Sequence, residues 1–174
     1  MKAEFNEDHT PRAYLITFRC YGTWLHGDKR GSVDRHHNRY GAPLIEPNPN
    51  WRNHNRRLLK QEPVELSGRQ RALVTTVIKQ TCEVRGWKLL AVNVRTNHAH
   101  VVVSAACSPS RILNTLKANA TRELREAGEW KRMHSPWADS GSKRYLWTEE
   151  HVNKAIDYVE FGQADVFPSV DELV

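Results

Sequence analysis

The run VNVRTNHAHVVVS, residues 92–104, sets two histidines one residue apart, His98 and His100, in a valine-rich stretch. Alternate side chains of a strand share a face, so the pair can turn two imidazole nitrogens toward one ion while Ala99, Val101 and Val103 turn toward a core. Two ligands from one strand are not a complete site. A third must come from elsewhere, and a hard ion such as Mg2+ or Mn2+ calls for oxygen among its donors. The same spacing also suits two half-buried polar residues on an open sheet face.

Oxygen donors stand near the end of the chain. In the run TEEHVNKAIDYVEFGQ the apolar stripe Val152, Ala155, Ile156 and Val159 predicts a helix, and at 100° per residue Tyr158 lies beside that stripe. Its hydroxyl can emerge at the edge of a helix–sheet contact. Gln163, next to Gly162, is the candidate third ligand through its amide oxygen; Glu160, two positions from Tyr158, faces away. An anchoring aromatic and an ordinary polar residue are the alternative readings of Tyr158 and Gln163.

These residues need elements to position them. AYLITFRCY, residues 13–21, alternates Tyr14, Ile16, Phe18 and Cys20 with Thr17 and Arg19, as a half-buried strand does. From Gly22 to about residue 66 no period is sustained, which predicts a long loop with room for short elements, a length that commonly marks function. Ser67 and Gln70 form a capping-box pattern ahead of an amphipathic helix reaching residue 84. Trp87–Val94 and residues 98–105 predict a hairpin across Arg95–Asn97. Ser108-Pro109 starts a helix with the stripe Ile112, Leu113, Leu116, Ala120 and Leu124. After an irregular stretch, a short strand is expected near Tyr145 to Trp147, with at least one of those two aromatics in the core. Thr148 then caps the last helix, and a tail follows at about 164–174. This order predicts a single α+β domain over 1–174: a ferredoxin-like sandwich, with helices packed on an antiparallel sheet and a long basic insertion after the first strand.

The chain has 174 residues, 39% of them hydrophobic, enough for a core without disulfides. Cys20, Cys82 and Cys107 are odd in number and lack a CxxC pair, which argues against a disulfide framework and a cysteine-rich zinc site. The N-terminus has no apolar signal region and no stretch is long and apolar enough to span a bilayer, so a soluble cytoplasmic protein is expected. A net charge of +6 favours an acidic partner only weakly. Its distribution says more: between residues 28 and 60, Lys29, Arg30, Arg35, Arg39, Arg52, Arg56, Arg57 and Lys60 face only Asp28, Asp34 and Glu46. Trp24, Tyr40 and Trp51 are interleaved, so phosphates and unpaired bases could both be held there. His26 and Asp28 are candidates for a supporting role. Arg19, Lys117, Lys143 and Arg144 extend the candidate nucleic-acid contacts; the bland reading is a solvated basic loop pinned by its aromatics.

The motif NHAHVVV resembles the His-hydrophobic-His motif of the HUH single-strand nucleases. The pattern from YLITFRCYG through that motif to LWTEEHVNKAIDYVEFGQ resembles the single-tyrosine transposases, the REP-associated tyrosine transposases above all, over most of residues 13–163. The resemblance implies that His98 and His100 hold a divalent metal, Mg2+ or Mn2+, and that Tyr158 attacks a DNA phosphate. It implies a 5′-phosphotyrosine intermediate on single-stranded or hairpin DNA, formed by a monomer or homodimer. Family members commonly take a third ligand four residues after the tyrosine. That position here is Gly162, and Gln163 is one residue late. A non-catalytic module binding DNA or RNA hairpins, and a metal-dependent phosphoesterase using water as nucleophile, are the rival expectations.

Overall fold

A computed structural model describes residues 10–29 and 45–162. Strand β1 (Ala13–Cys20) is followed by helices α1 (Pro49–Arg57) and α2 (Gly68–Arg85). The hairpin of β2 (Lys88–Val94) and β3 (His98–Ser104) leads to α3 (Pro109–Glu126), β4 (Trp137–Leu146) and α4 (Glu149–Phe161). The four strands form one sheet in the order β2-β3-β1-β4, every neighbouring pair antiparallel. Helices cover both faces, making a mixed α/β fold.

One face carries the main core. Tyr14, Ile16, Phe18 and Cys20 of β1 and Ala99, Val101 and Val103 of β3 pack there against Val74, Val77 and Ile78 of α2 and Ile112, Leu116 and Leu124 of α3. The period of two read from the sequence is what places them together. Phe18 is fully buried and meets Trp137 edge-on at 4.9 Å. The other face is smaller: Ala13, Leu15, Ala91, Val102 and Leu146 pack against Ala155 and Val159 of α4.

The helix ends follow their local chemistry. Ser67 and Gln70 exchange both bonds of the capping box, and Gly86 closes α2 in the left-handed region at φ 65°. Ser108 caps α3 ahead of Pro109, and Thr148 caps α4, whose first turn carries Glu149 and Glu150 against the helix dipole. The long segment after β1 contains α1, which has no apolar stripe and no buried residue. Its start was nevertheless written locally, since Asn48 accepts from Trp51 N and Pro49 stands where a missing N–H is harmless.

The last strand departs from expectation. In place of a short strand near Tyr145 to Trp147, β4 runs for ten residues from Trp137. Asp139, Ser140, Gly141 and Ser142 have poor strand propensity, but the free edge of β1 supplies backbone partners along their length. Buried Trp137 and Leu146 anchor the two ends. Gly141 is needed where it stands, because a Cβ there would lie 2.7 Å from Thr17 O. Tyr145 and Trp147 also differ from expectation: Tyr145 is exposed, Trp147 half-buried, and neither belongs to the core.

Replacing Phe18 with Ala should lower unfolding free energy by about 3–5 kcal/mol, the usual range for a buried phenylalanine. Urea denaturation checks this, and a loss under about 1 kcal/mol would mean that the β1–α3 layer is loosely packed.

Candidate active site

The second face of the sheet brings the histidines and the tyrosine together. His98 and His100 project from β3 on the side away from Ala99 and Val101, their ring centroids 4.6 Å apart. Tyr158 comes down from α4, its ring centroid 5.3 Å from that of His100. His100 is buried, whereas His98 and Tyr158 are half-buried.

Neighbouring strands orient both imidazoles. Thr17 lies opposite His100 on β1, and its Oγ1 is hydrogen-bonded to His100 Nδ1 at 2.8 Å. Asn97 Oδ1 lies 2.6 Å from His98 Nδ1. An amide oxygen only accepts, so in this contact His98 Nδ1 donates, which leaves Nε2 as the nitrogen facing away from Asn97. Burial, with His98 and Arg95 nearby, pushes His100 down to about 3, which keeps it neutral near pH 7. The two imidazoles, each held through Nδ1, form a nitrogen donor pair that fits a divalent ion, and such outer partners are what fix metal-binding histidines.

A polar residue of β2 fixes the position of Tyr158. Asn93, opposite His100 in the register, donates from Nδ2 to Val159 O at 2.9 Å. The carbonyls of a helix's last turn have no intrahelical partner, so this bond satisfies one of them and pins the end of α4 to the sheet beneath Tyr158. Gly162 then leaves the helix at ψ 66°. A Cβ on it would stand 2.7 Å from Tyr158 Cδ2, so the chain turns away against the tyrosine ring. Burial raises the Tyr158 pKa, while the charges of Arg144 and Arg95 pull it down; the net shift is upward.

The remaining sequence-predicted residues divide. Gln163, Arg30, Arg35 and Arg39 lie outside the described residues, as does Tyr40. Among the described residues no group of three or more His, Cys, Asp and Glu side chains is placed to hold an ion. Arg19 stands opposite His98, donates to Trp24 O at 3.0 Å and lies over the Trp24 ring, so it borders the histidine end. Trp24 itself has a positive φ of 53°. Arg144 shares the face of Leu15 and so of the site. Lys29, Arg52, Arg56 and Arg57 are exposed, and Arg52 also approaches buried Asp28 at 3.8 Å. One side of Trp51 is taken by His26, stacked at 5.3 Å, so His26 and Asp28 are engaged with α1 and its approach.

Of the candidate nucleic-acid contacts, Lys117 and Lys143 lie on the sheet face opposite Tyr158. Lys117 donates to the Ala138 and Asp139 carbonyls, while Lys143 reaches Ser110 Oγ at 3.0 Å, both on the face covered by α3. The reason is the register, which sets Lys143 opposite Ile16. Thr17, Asn93, Arg95 and Asn97 were missed as site residues. The available signal was polarity: an asparagine inside LLAVNV and a threonine inside LITF sit where the alternation calls for a covered face.

The profile of the family described as "Transposase IS200 like" matches residues 51–160, more than half of the chain. The chain belongs to that family. Among solved structures, a REP-associated tyrosine transposase bound to a REP hairpin is 10% identical, with TM-score 0.49 over 91% of this chain and 68% of that one. A transposase candidate from Deinococcus radiodurans R1 is 13% identical, with TM-score 0.46 over 92% of this chain and 96% of that one. No curated protein matches the sequence.

Thr17→Val should lower stability by about 1–3 kcal/mol by leaving a buried imidazole nitrogen without its partner, and Thr17→Ser should stay close to the parent. Chemical denaturation of the three proteins decides; equal losses in Val and Ser would place the effect in packing.

Proposed function

We propose that this protein is a metal-assisted single-strand DNA endonuclease and strand transferase, acting at hairpin-associated sites through a 5′-phosphotyrosine on Tyr158. The observation that carries the reading is the contact of the Tyr158 ring with His100. It comes in a chain of a transposase family, which makes strand transfer the natural task of such a contact. The order β2-β3-β1-β4 supports reading the scaffold as a ferredoxin-like sandwich with α4 added on its second face.

His98 and His100 would hold Mg2+ or Mn2+, with Gln163 proposed as the third donor. When bound, such an ion polarises the scissile phosphate and offsets charge gathering on its oxygens. The residues of the chain do the rest. Asn93 and the packed stripe of α4 hold the tyrosine against the sheet, so the nucleophile loses little orientational freedom on attack. Arg144 and Arg95, whose charges favour the phenolate over the phenol, also favour a phosphate brought beside it.

In the proposed step Tyr158 loses its proton to solvent and its oxygen bonds to phosphorus, while the bond from phosphorus to the 3′ oxygen breaks. The leaving 3′ oxygen takes up a proton, and the phosphate stays on the 5′ side as a tyrosyl ester. Attack by a 3′ hydroxyl on that ester reverses the exchange and frees the tyrosine, so strands are rejoined without an external energy source. Lys29, Arg52, Arg56 and Arg57 are proposed as backbone contacts, with Arg19 and Trp24 at the entrance. Arg30, Arg35, Arg39 and Trp51 belong to the same proposed surface. Three free thiols suit a cytoplasmic setting, and no described helix is long and apolar enough to cross a membrane.

Incubation with end-labelled single-stranded hairpins and Mn2+ should give a protein–DNA adduct that survives a denaturing gel. Tyr158→Phe should abolish the adduct and keep binding within about threefold, since only the nucleophile is lost. Adduct formed undiminished by that variant would remove Tyr158 from the role. His98→Ala should cut adduct yield at least about tenfold at limiting Mn2+, and a yield independent of metal concentration in both proteins would remove the metal site.

A further inference from the structure

The proposed active site leaves one aromatic surface of the molecule unused. On β4, Tyr145 is 48% exposed, and its ring stacks on that of Trp147 at 5.8 Å with 13° between the planes. Tyr14, itself buried, meets Tyr145 edge-on at 5.3 Å and 79°. The register sets Tyr145 opposite Tyr14 and Lys143 opposite Ile16, both members of the main core, so this surface lies on the α2/α3 face. Tyr158 is on the other.

Three features bear on what the surface takes. The rings are parallel and one is buttressed from the side, so the pair presents a flat π face. β4 ends the sheet, and among the described residues no strand pairs with its outer edge. A cation stands on the same face: Lys143 lies opposite Ile16 with its Nζ 3.0 Å from Ser110 Oγ, and the first turn of α3 carries no acidic residue, while Glu149 and Glu150 follow Trp147 in the first turn of α4. A flat aromatic face beside a cation suits an unpaired base and its phosphate, because every base has a π face and the backbone a negative charge. A duplex keeps its base faces stacked on each other and cannot use such a surface.

We propose that Tyr145 and Trp147 form a stacking platform for unpaired bases of single-stranded DNA on the face opposite Tyr158, with Lys143 at the adjoining phosphate. The choice of DNA rests on the strand-transfer reading above; the stacking chemistry does not. Arg144 lies between these residues in sequence and projects to the active face, so a strand held there continues over the β4 edge onto the platform. The platform thereby selects substrates with a single-stranded extension beyond the cleaved phosphate.

The test uses the full chain carrying Tyr158→Phe, so that binding is read without cleavage, with fluorescein-labelled thymidine oligonucleotides followed by anisotropy. Adding Tyr145→Ala or Trp147→Ala should weaken binding about tenfold, whereas Tyr145→Phe and Trp147→Phe should stay within about twofold. Duplex of the same length should respond to none of them. Photocrosslinking with 5-iodouracil oligonucleotides should label a peptide containing Tyr145 or Trp147. Unchanged affinity in the alanine variants, or crosslinks confined to the Tyr158 face, overturns the platform. So does a sedimentation dimer abolished by Tyr145→Ala with oligonucleotide affinity intact, which would assign the surface to a second copy of the chain. Adduct formation without Tyr158→Phe reports independently: adduct with no alanine effect removes the platform alone, and an alanine effect with no adduct removes strand transfer alone while upholding the platform.

Discussion

Strand β3 is covered on both faces, and that constraint governs the molecule. Ala99, Val101 and Val103 face α2 and α3, while His98, His100 and Val102 face the side that α4 covers. A polar ring in such a layer loses its water and must find a partner inside the protein, since an unpaired buried group is expensive to keep. Thr17 is that partner for His100. One consequence is structural, a fixed ring. The other is chemical, because the same desolvation that demands a hydrogen bond keeps the imidazole neutral and able to coordinate.

The placement of Tyr158 follows from a similar requirement at the end of a helix. The last turn of α4 presents carbonyls with no helical partner, and Asn93 answers one of them from the strand beside β3. Satisfying a backbone group thus brings the phenol to the imidazoles. Gly162 completes the arrangement by letting the chain turn directly against the Tyr158 ring. A Cβ four residues after the tyrosine would collide there, which gives a steric reason for the glycine.

The segment after β1 and the outer strand show how aromatic and charged side chains are divided between internal contacts and the surface. Trp24 and Trp51 each have a ring face occupied from within, by Arg19 and His26, so these aromatics shape the loop as well as decorate it. Around β4 the alternation divides neighbours in sequence between opposite sides of the sheet: Arg144 goes with the tyrosine, Lys143 and Tyr145 with the α3 face. A basic run therefore does not mark one continuous patch.

Much of this was legible in the residues alone. The alternation of β1 and β3, the capping box at Ser67, the Ser108-Pro109 helix start and the stripe of α4 are local patterns, and local sterics and hydrogen bonding determine them whatever the rest of the chain does. The same patterns put His98 and His100 on one face and Tyr158 at the rim of a helical stripe. Tertiary structure alone decided which strand lies beside which. It made Thr17, Asn93 and Arg95 part of the site, set Lys117 and Lys143 on the opposite face, drew ten polar-rich residues into β4 and left Tyr145 and Trp147 outside the core. The physical reason is that cross-strand partners depend on register and on what covers each face, quantities shared between segments distant in sequence and written in none of them separately.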